Sequence, residues 1–487
     1  MPNYIEIDRA QLGWRQFEVE ALIPQSHLAR AVWAMSARFD LSGFAEQINN
    51  DEGGRRCWPP RLLFSVWVYG YTQGIASARA LERLMGYEPG LRWLCGDEVI
   101  NHHTLSDFRI SQKDKLEGLM CQLMAILDEE QLIDLRTITQ DGTKIQAVAS
   151  KYSFHRQRTI RDRVKVARRV VRELVRRAEC ETEATDRRLA AAEQRAAEER
   201  LQRLESSLRK LQVEQRKVRP SERADVRVST SEPQARKMKQ TDGGFAPSYN
   251  VQINTDAKHR MIVGVRVTDS KADMNELKAG LAVVRRWCGK KPARLLADGG
   301  YPTRENVMAM EAHKVEFIAP WKDDDSREAG ASSRAGRDAA FLSSAFHMSA
   351  DGASMVCPAG KLLQIIGNRK HHGQQCTVYQ AQAKDCAKCP MRDACCGKRR
   401  GPRRIERVQE VAAMQVYLER MKQPEAHSLY RKRSEVAEFP HLWIKSYWGL
   451  RRFTLRGKAK ATKEVIWAAL AYNVQQWARL KWASATA

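Results

Sequence analysis

The chain has 487 residues, and its 83 Lys+Arg against 58 Asp+Glu leave a formal charge of +25. Hydrophobic residues at 43 % are enough for a real core, which excludes wholesale disorder along with collagen-like, mucin-like and disulfide-knot classes. A cationic surplus of this size points to a polyanionic partner, nucleic acid first, because Lys and Arg neutralise phosphates and release counterions. The opening MPNYIEIDRAQLGWRQ carries acids where a secretory signal needs a basic and then apolar run. Leu62–Tyr71 is about the longest apolar stretch, well short of the roughly 18–20 residues of a membrane span, so a soluble cytoplasmic protein without a membrane partner is expected.

In chain order, residues 1–130 read as a helical unit that could dock on DNA. Apolar positions recur at helical spacing in Ser26–Phe39, Leu62–Tyr71, Ala78–Met85 and Leu116–Leu127. In HHTLSDFRISQ, Thr104 or Ser106 is the expected helix N-cap. From Leu132 the pattern turns to strand: LRTITQ runs into Asp141-Gly142, which reads as a strand ending on a carboxylate or as a hairpin turn. Thr143–Arg219 holds neither Gly nor Pro. Val164, Ala167, Val171, Leu174 and Ala178, then Leu201, Leu204, Leu208 and Leu211, keep heptad spacing, which predicts one long helix or an antiparallel helical hairpin. Arg156–Arg177 has ten basic against two acidic residues and could lie along a DNA backbone.

Strand signals return in YNVQIN and RMIVGVRVT, joined by a turn. ARLLA then ends on Asp298-Gly299-Gly300-Tyr301; helical Arg304–His313 and apolar VEFIAP follow, an alternation that predicts a mixed sheet covered by helices. Asp323–Arg337 reads as a flexible linker. The segment from about Met414 to the end is helical, basic and rich in tryptophan.

Two constellations carry chemistry. Asp141 and Asp298 each follow a β-type run, and strand-end carboxylates can converge to hold divalent cations for phosphoryl transfer. In YRKRSEVAEFPHLWIK, Tyr430, Arg433, Glu438 and Lys445 supply an acid for metal beside a guanidinium and an ammonium for phosphates. Glu438 and Lys445 are seven apart, one face of a continuous helix, with Pro440 as the complication. Arg431 and Glu435 are weaker competitors, and Trp443 either stacks on an unpaired base or packs. The second constellation is cysteine. Cys57, Cys95, Cys121, Cys180 and Cys288 are scattered, whereas six fall between Cys357 and Cys396. Cys357, Cys386, Cys389 and Cys395 are the preferred ligand set for a structural Zn²⁺, with Cys376, Cys396, His371 and His372 as substitutes. The basic run Lys398–Arg407 follows directly.

The three acid segments, with YNVQIN, DGGY, HHTLSDFR, the cysteine cluster and the terminal RRFTLRG and LAYN, together resemble a bacterial DDE transposase, more narrowly the 1182-type insertion-sequence family of the insertion-sequence-four superfamily. What the resemblance implies is a ribonuclease-H-like α/β mixed-sheet core whose catalytic triad is Asp141, Asp298 and Glu438, holding two Mg²⁺ or Mn²⁺ ions. Tyr430, Arg433 and Lys445 match the superfamily's Tyr-Arg-Glu-Lys signature and would contact DNA phosphates, although four residues separate Arg433 from Glu438 where the signature has three. The implied activity is cutting of transposon ends and joining of the 3′-hydroxyl to target DNA. A metal-dependent nuclease without strand transfer and a non-catalytic DNA-binding derivative are the alternatives. The implied partners are double-stranded DNA (terminal repeats and target) and a second copy of the chain as a homodimer on DNA, in the nucleoid region of the cytoplasm.

The expected domains are 1–130, helical and DNA-binding; 131–150, the start of the core; 151–220, a coiled-coil insertion; 221–320, the core resumed; 321–412, linker and zinc-knuckle-like insertion; and 413–487, the glutamate helix with basic terminal helices.

Overall fold

A computed structural model describes residues 17–44, 57–110, 113–180, 184–322, 324–371, 374–398, 400–408 and 411–482. Of the positions named above, the first sixteen residues, Ser111, Gln112, Asp323, His372 and Arg399 lie outside the described residues, as do the side chains of Ala178, Cys180 and His371. Packing divides the chain into two units: Met1–Ala293 with Arg433–Ala487, and Arg294–Lys432.

Among its described residues the larger unit opens with six α-helices: α1 (Leu28–Ser36), α2 (Pro60–Thr72), α3 (Ala78–Leu84), α4 (Pro89–Cys95), α5 (His102–Arg109) and α6 (Lys113–Glu129). Pro60 sits at the first position of α2, where a missing N–H costs nothing. From Leu62 to Thr72 every residue of that helix is buried, so α2 is the hub of the group. The cap of α5 is Asn101, whose side chain accepts from the His103 amide at 2.8 Å. Thr104 and Ser106 instead fall inside the helix, because Asn101 offers its carboxamide one turn earlier.

Strand β1 (Thr137–Gln146) follows, then the short β2 (Phe154–His155) and two helices, α7 (Gln157–Cys180) and α8 (Ala184–Arg216). These helices run antiparallel, with Arg168 paired to Glu205 and Arg177 to Glu193. Ile160, Val164 and Ala167 pack on Leu204 and Leu211, and Leu201 and Leu208 border that seam. Strand β3 (Val228–Ser229) pairs with β2 at the hairpin's base.

Next come β4 (Arg236–Lys239), β5 (Phe245–Asp256), β6 (Ile262–Thr268) and helix α9 (Leu277–Cys288). Strand β5 lies centrally, antiparallel to β1 along one edge and to β4 and β6 in turn along the other. Register with β1 is unbroken from Ile138↔Asp256 to Gln146↔Ser248, so β1 runs straight through Asp141-Gly142. Asp141 is therefore a mid-strand residue, neither a strand end nor a turn. Gly142 has a packing reason: a Cβ there would stand 2.4 Å from both Asp273 Oδ1 and Gln252 Nε2.

The smaller unit begins with β7 (Arg294–Ala297), α10 (Arg304–Ala312) and β8 (Glu316–Ile318), a parallel β-α-β. Residues read as linker form helix α11 (Asp324–Arg334), whose Glu328 accepts from the Ser343 amide and hydroxyl. A five-stranded antiparallel sheet follows in the order β13-β12-β11-β10-β9, made of β9 (His347–Met348), β10 (Ser354–Val356), β11 (Leu362–His371), β12 (Gln374–Ala381) and β13 (Arg404–Val408). Between β12 and β13 lie two short helices, α12 (Ala383–Ala387) and α13 (Arg392–Cys396). Helix α14 (Ala412–Lys422) packs beside β8: the Tyr417 ring stacks on Phe317, and its hydroxyl donates to the Ala319 carbonyl.

Helix α15 (Pro424–Leu442) carries the chain back into the larger unit and passes through Pro440 into a π-helical turn, Trp443–Tyr447. After it, the RRF segment bonds to the end of β1: Gln146 N donates to Arg451 O at 3.0 Å, and Phe453 N to Gln146 O at 2.8 Å. Helix α16 (Lys458–Trp477) then ties the unit together. On one side Trp467 packs against Phe64, Trp67 and Phe108. On the other, the Asn473 carboxamide accepts from Ile262 N and donates to Ile262 O, both at 2.8 Å. Buried Glu464 accepts from Thr454 N, Thr454 Oγ1 and Leu455 N. Burial raises its carboxyl above the usual range, against the pull of those donors and of Arg109. No described helix is long and apolar enough to cross a membrane.

Candidate active site

Alternation along β1 sends Asp141 and Thr143 to one face of the sheet and Gln140, Gly142 and Lys144 to the other. On the Asp141 face lie the last turns of α15 and the π turn. Arg433 Nη1 stands 3.7 Å from Asp141 Oδ2, and His441 Nε2 stands 3.8 Å from the same oxygen. Lys445 Nζ donates to Thr143 Oγ1 at 3.0 Å. The other carboxylate oxygen, Oδ1, accepts from the Gly142 amide at 2.8 Å.

Burial is the main cause of the protonation states here. The His441 side chain is only 13 % exposed, and desolvation, helped by Lys445 and Arg433, lowers its pKa to about 4. Its ring is therefore neutral at physiological pH, and neither nitrogen has a hydrogen-bond partner among the described residues. Half-buried Lys445 is lowered from the usual lysine value, first by desolvation and then by Arg451. Asp141 thus has a guanidinium and a neutral imidazole beside it, with an ammonium held at Thr143 two residues along the same face; the two cations are of a kind that suits a phosphate ester.

The opposite face of β1 explains YNVQIN. Asn250, Gln252 and Asn254 are buried polar side chains, and they form a ladder with Gln140. Gln140 Nε2 donates to Gln252 Oε1 at 3.1 Å, and Asn254 Nδ2 to Gln140 Oε1 at 3.2 Å. Asp273 Oδ1 collects Asn250, Gln252 and Lys144. Helix α9 closes over this layer with Gly280, where a Cβ would stand 2.3 Å from Gln140 Oε1. Paired amides tolerate full burial only when every partner is present, so the ladder fixes the register that places Asp141.

Asp141, Arg433 and Lys445, all singled out from the sequence, come together in the larger unit. Thr143 and His441 join them without having been anticipated; the available signal was His441's position one turn after Glu438. Glu438 lies on an exposed flank of α15. Beyond it, the five-residue turn at Trp443–Tyr447 breaks the simple seven-residue relation to Lys445. Asp298 follows β7 in the smaller unit, where its Oδ1 accepts from the Gly300 amide at 2.8 Å. Tyr430, also in the smaller unit, packs against Leu296, Ile318 and Ala426. Trp443 packs among Phe439, Tyr447 and Trp448. Arg431 and Glu435 are exposed.

In the smaller unit, Cys357, Cys386, Cys389, Cys395 and Cys396 line one cavity of about 30 Å³ together with Arg403. Cys376 is buried on β12, paired with Arg369 and Val408. The basic run that follows divides in two. Arg403 is buried and donates to Phe341 O, and Arg407 donates to Ser343 O, while Lys398, Arg400 and Arg404 are exposed.

Residues 356–478 match the family model described as Transposase DDE domain, and residues 17–111 match the model described as Transposase domain (DUF772). Two separate segments are thus similar to transposase domains, one of them of DDE type. The first match takes in Arg433, Glu438, Lys445 and the cysteine cluster, while Asp141 and Asp298 fall between the two matches. No curated protein and no solved structure matches the chain.

The donor chemistry at Asp141 fits a hard divalent cation, since a partly exposed carboxylate with a neutral imidazole beside it offers oxygen and nitrogen ligands without a competing thiolate. Among the described residues, however, no three His, Cys, Asp or Glu side chains form a group able to hold a metal ion.

Proposed function

We propose that the chain is a DDE transposase, which cuts transposon ends and joins the liberated 3′-hydroxyl to target DNA. The observation that carries this reading is the meeting of Asp141 with Arg433, His441 and Lys445 in a chain with two transposase-type segments. The order of elements supports it: an antiparallel β1, β5 and β6, then the parallel β7-α10-β8, then a helix bearing Glu438, is the element order of a ribonuclease-H-like core. The net charge of +25 suits a DNA substrate.

On this reading Asp141, Asp298 and Glu438 act as the catalytic acids and would hold two Mg²⁺ or Mn²⁺ ions. When bound, such ions supply Lewis-acid stabilisation of the attacking and leaving oxygens of an in-line displacement. The chain's own contribution is positioning. Arg433 and Lys445 hold the scissile phosphate's non-bridging oxygens over β1, and Thr143 fixes the direction of the Lys445 ammonium. His441, neutral and buried, keeps the inner side of Asp141 free of a further positive charge. The helices of residues 17–111 recognise the terminal repeats, the arginine-rich face of α7 follows the duplex, and two copies of the chain pair the transposon ends.

A strand-transfer assay with Mg²⁺ tests the proposal, using linear DNA that ends in the inverted repeats flanking the coding sequence. Joining to target DNA by the native chain but not by Asp298→Ala is the expected result. Cleavage without joining would make the chain a nuclease, and binding without either would make it a DNA-binding derivative; both outcomes overturn the reading.

A further inference from the structure

We infer that Cys357, Cys386, Cys389 and Cys395 form a tetrahedral Zn²⁺ site that clips the β10–β11 turn to the α12–α13 pair. The inference does not depend on the transposase reading. It starts from convergence. Cys357 lies about thirty residues before the other three, yet all four thiols line the same cavity, and its volume of about 30 Å³ is the size of a single small guest.

Backbone hydrogen bonds fix the chain at each contributor, and at Cys357 an amide is also aimed at the sulfur. Cys357 opens a tight turn, Cys-Pro-Ala-Gly-Lys, between β10 and β11. Its amide donates to Lys361 O at 2.9 Å, Gly360 N donates to Cys357 O at 2.8 Å, and Gly360 takes the left-handed φ of +71° that closes the loop. That closure aims the Lys361 amide at the sulfur, with N to Sγ at 3.3 Å. An N–H aimed at the sulfur holds the side chain in one direction, as an oriented metal ligand needs. Cys386 and Cys389 sit across the end of α12, where Cys389 N donates to Cys386 O, and Arg392 N then donates to Cys389 O as α13 begins. Cys395 is held one turn into α13 through its amide on Met391 O at 2.9 Å. Cys357, Cys386 and Cys395 all pack against one apolar cluster of Phe346, Met355, Leu363, Tyr379, Ala381 and Ile405, so the backbone carrying them is anchored before any metal arrives.

As they stand the thiols line the cavity without forming a group able to hold a metal ion, and the proposed site requires their side chains to turn toward its centre. Four sulfur ligands leave no open position, which makes the ion structural rather than catalytic. Its place in the unit gives it a purpose. Strands β9, β10 and β13 are short, β9 and β13 lie at the sheet's edges, and α12 and α13 have five residues each, too few to be stable by themselves. A zinc clip ties these helices to the sheet and sets the direction of the exposed Lys398, Arg400 and Arg404 that follow.

The test uses the reduced full-length chain. Metal content by mass spectrometry should give one zinc per chain. Replacement by Co²⁺ should give the intense sulfur-to-metal charge-transfer band and the visible d–d bands of tetrahedral thiolate coordination. Cys386→Ser with Cys389→Ser should abolish both signals, and Cys396→Ser should keep both, because Cys396 is the neighbour left outside the set. A wild-type chain that purifies without zinc and gives no tetrahedral Co²⁺ spectrum overturns the site, whatever the folding of the variants. Loss of metal in Cys396→Ser with retention in Cys395→Ser overturns the assignment of the fourth ligand.

Discussion

Lys445 donates to the hydroxyl of Thr143, two residues beyond Asp141 on the same face of β1 and some three hundred residues away in sequence. A half-buried ammonium is thereby tied to β1 two residues along the strand from Asp141, on the face proposed for the DNA phosphate. Lys445→Met should lower strand transfer by roughly 10²-fold, the usual scale for one removed electrostatic contact. The salt dependence of DNA binding should flatten by about one phosphate contact. Thr143→Val should weaken activity less, because it frees the lysine without deleting it. Kinetics and salt titrations check both variants; an unchanged rate in Lys445→Met would remove it from the site.

Gly142 is a steric requirement. The carboxylate of Asp273 and the carboxamide of Gln252 occupy the space a Cβ would need. Gly142→Ala should destabilise the fold by about 1–3 kcal/mol, as overpacking does, by pushing apart the ladder on the far face of β1. Chemical denaturation measures this.

His441 gives the fold a pH dependence whose sign follows from its depressed pKa. In the unfolded chain the ring protonates near 6.5, and in the folded chain near 4. Between these values the unfolded state binds more protons, so stability is fully present above pH 6.5 and declines as pH falls through 4. The contribution at stake is roughly 3 kcal/mol at most. Denaturation midpoints in a chelator-containing buffer should show this decline for the native chain and a flatter profile for His441→Gln. Parallel profiles would exclude the imidazole as its source.

Helix α16 joins the N-terminal helices to the sheet through two opposite faces. Trp467→Ala empties the contact with Phe64, Trp67 and Phe108 and should cost about 3–5 kcal/mol. Asn473→Ala leaves the Ile262 amide and carbonyl without their partner and should cost about 1–3 kcal/mol. Equilibrium unfolding of single and double variants checks both figures. Additive losses are expected, because the two contacts are well separated along the helix.

Periodicity and turn chemistry made much of this protein legible before any coordinates. The heptad positions Val164, Ala167, Leu204 and Leu211 are core residues because 3.6-residue periodicity selects a face regardless of context. YNVQIN and RMIVGVRVT are strands because β-branched and alternating residues favour a pleated, half-buried surface. The spacing of the cysteines already marked the segment that lines one cavity. What periodicity could not supply was long-range pairing. Asp141-Gly142 carries the signature of a turn, yet it lies in mid-strand, because Asp273 and Gln252 arrive from elsewhere in the chain to fill the space a side chain would take. Asp323–Arg337 has linker composition, yet most of it is helical, with Glu328 engaged by Ser343. His441 is an ordinary histidine in the sequence, and its neutral state comes from burial beside Arg433 and Lys445. Local preferences thus wrote most of the elements and the basic character of the chain. The register of β1, the turn that carries Lys445 to Thr143 and the protonation of His441 were decided by tertiary packing, since burial and charge proximity depend on residues hundreds of positions apart.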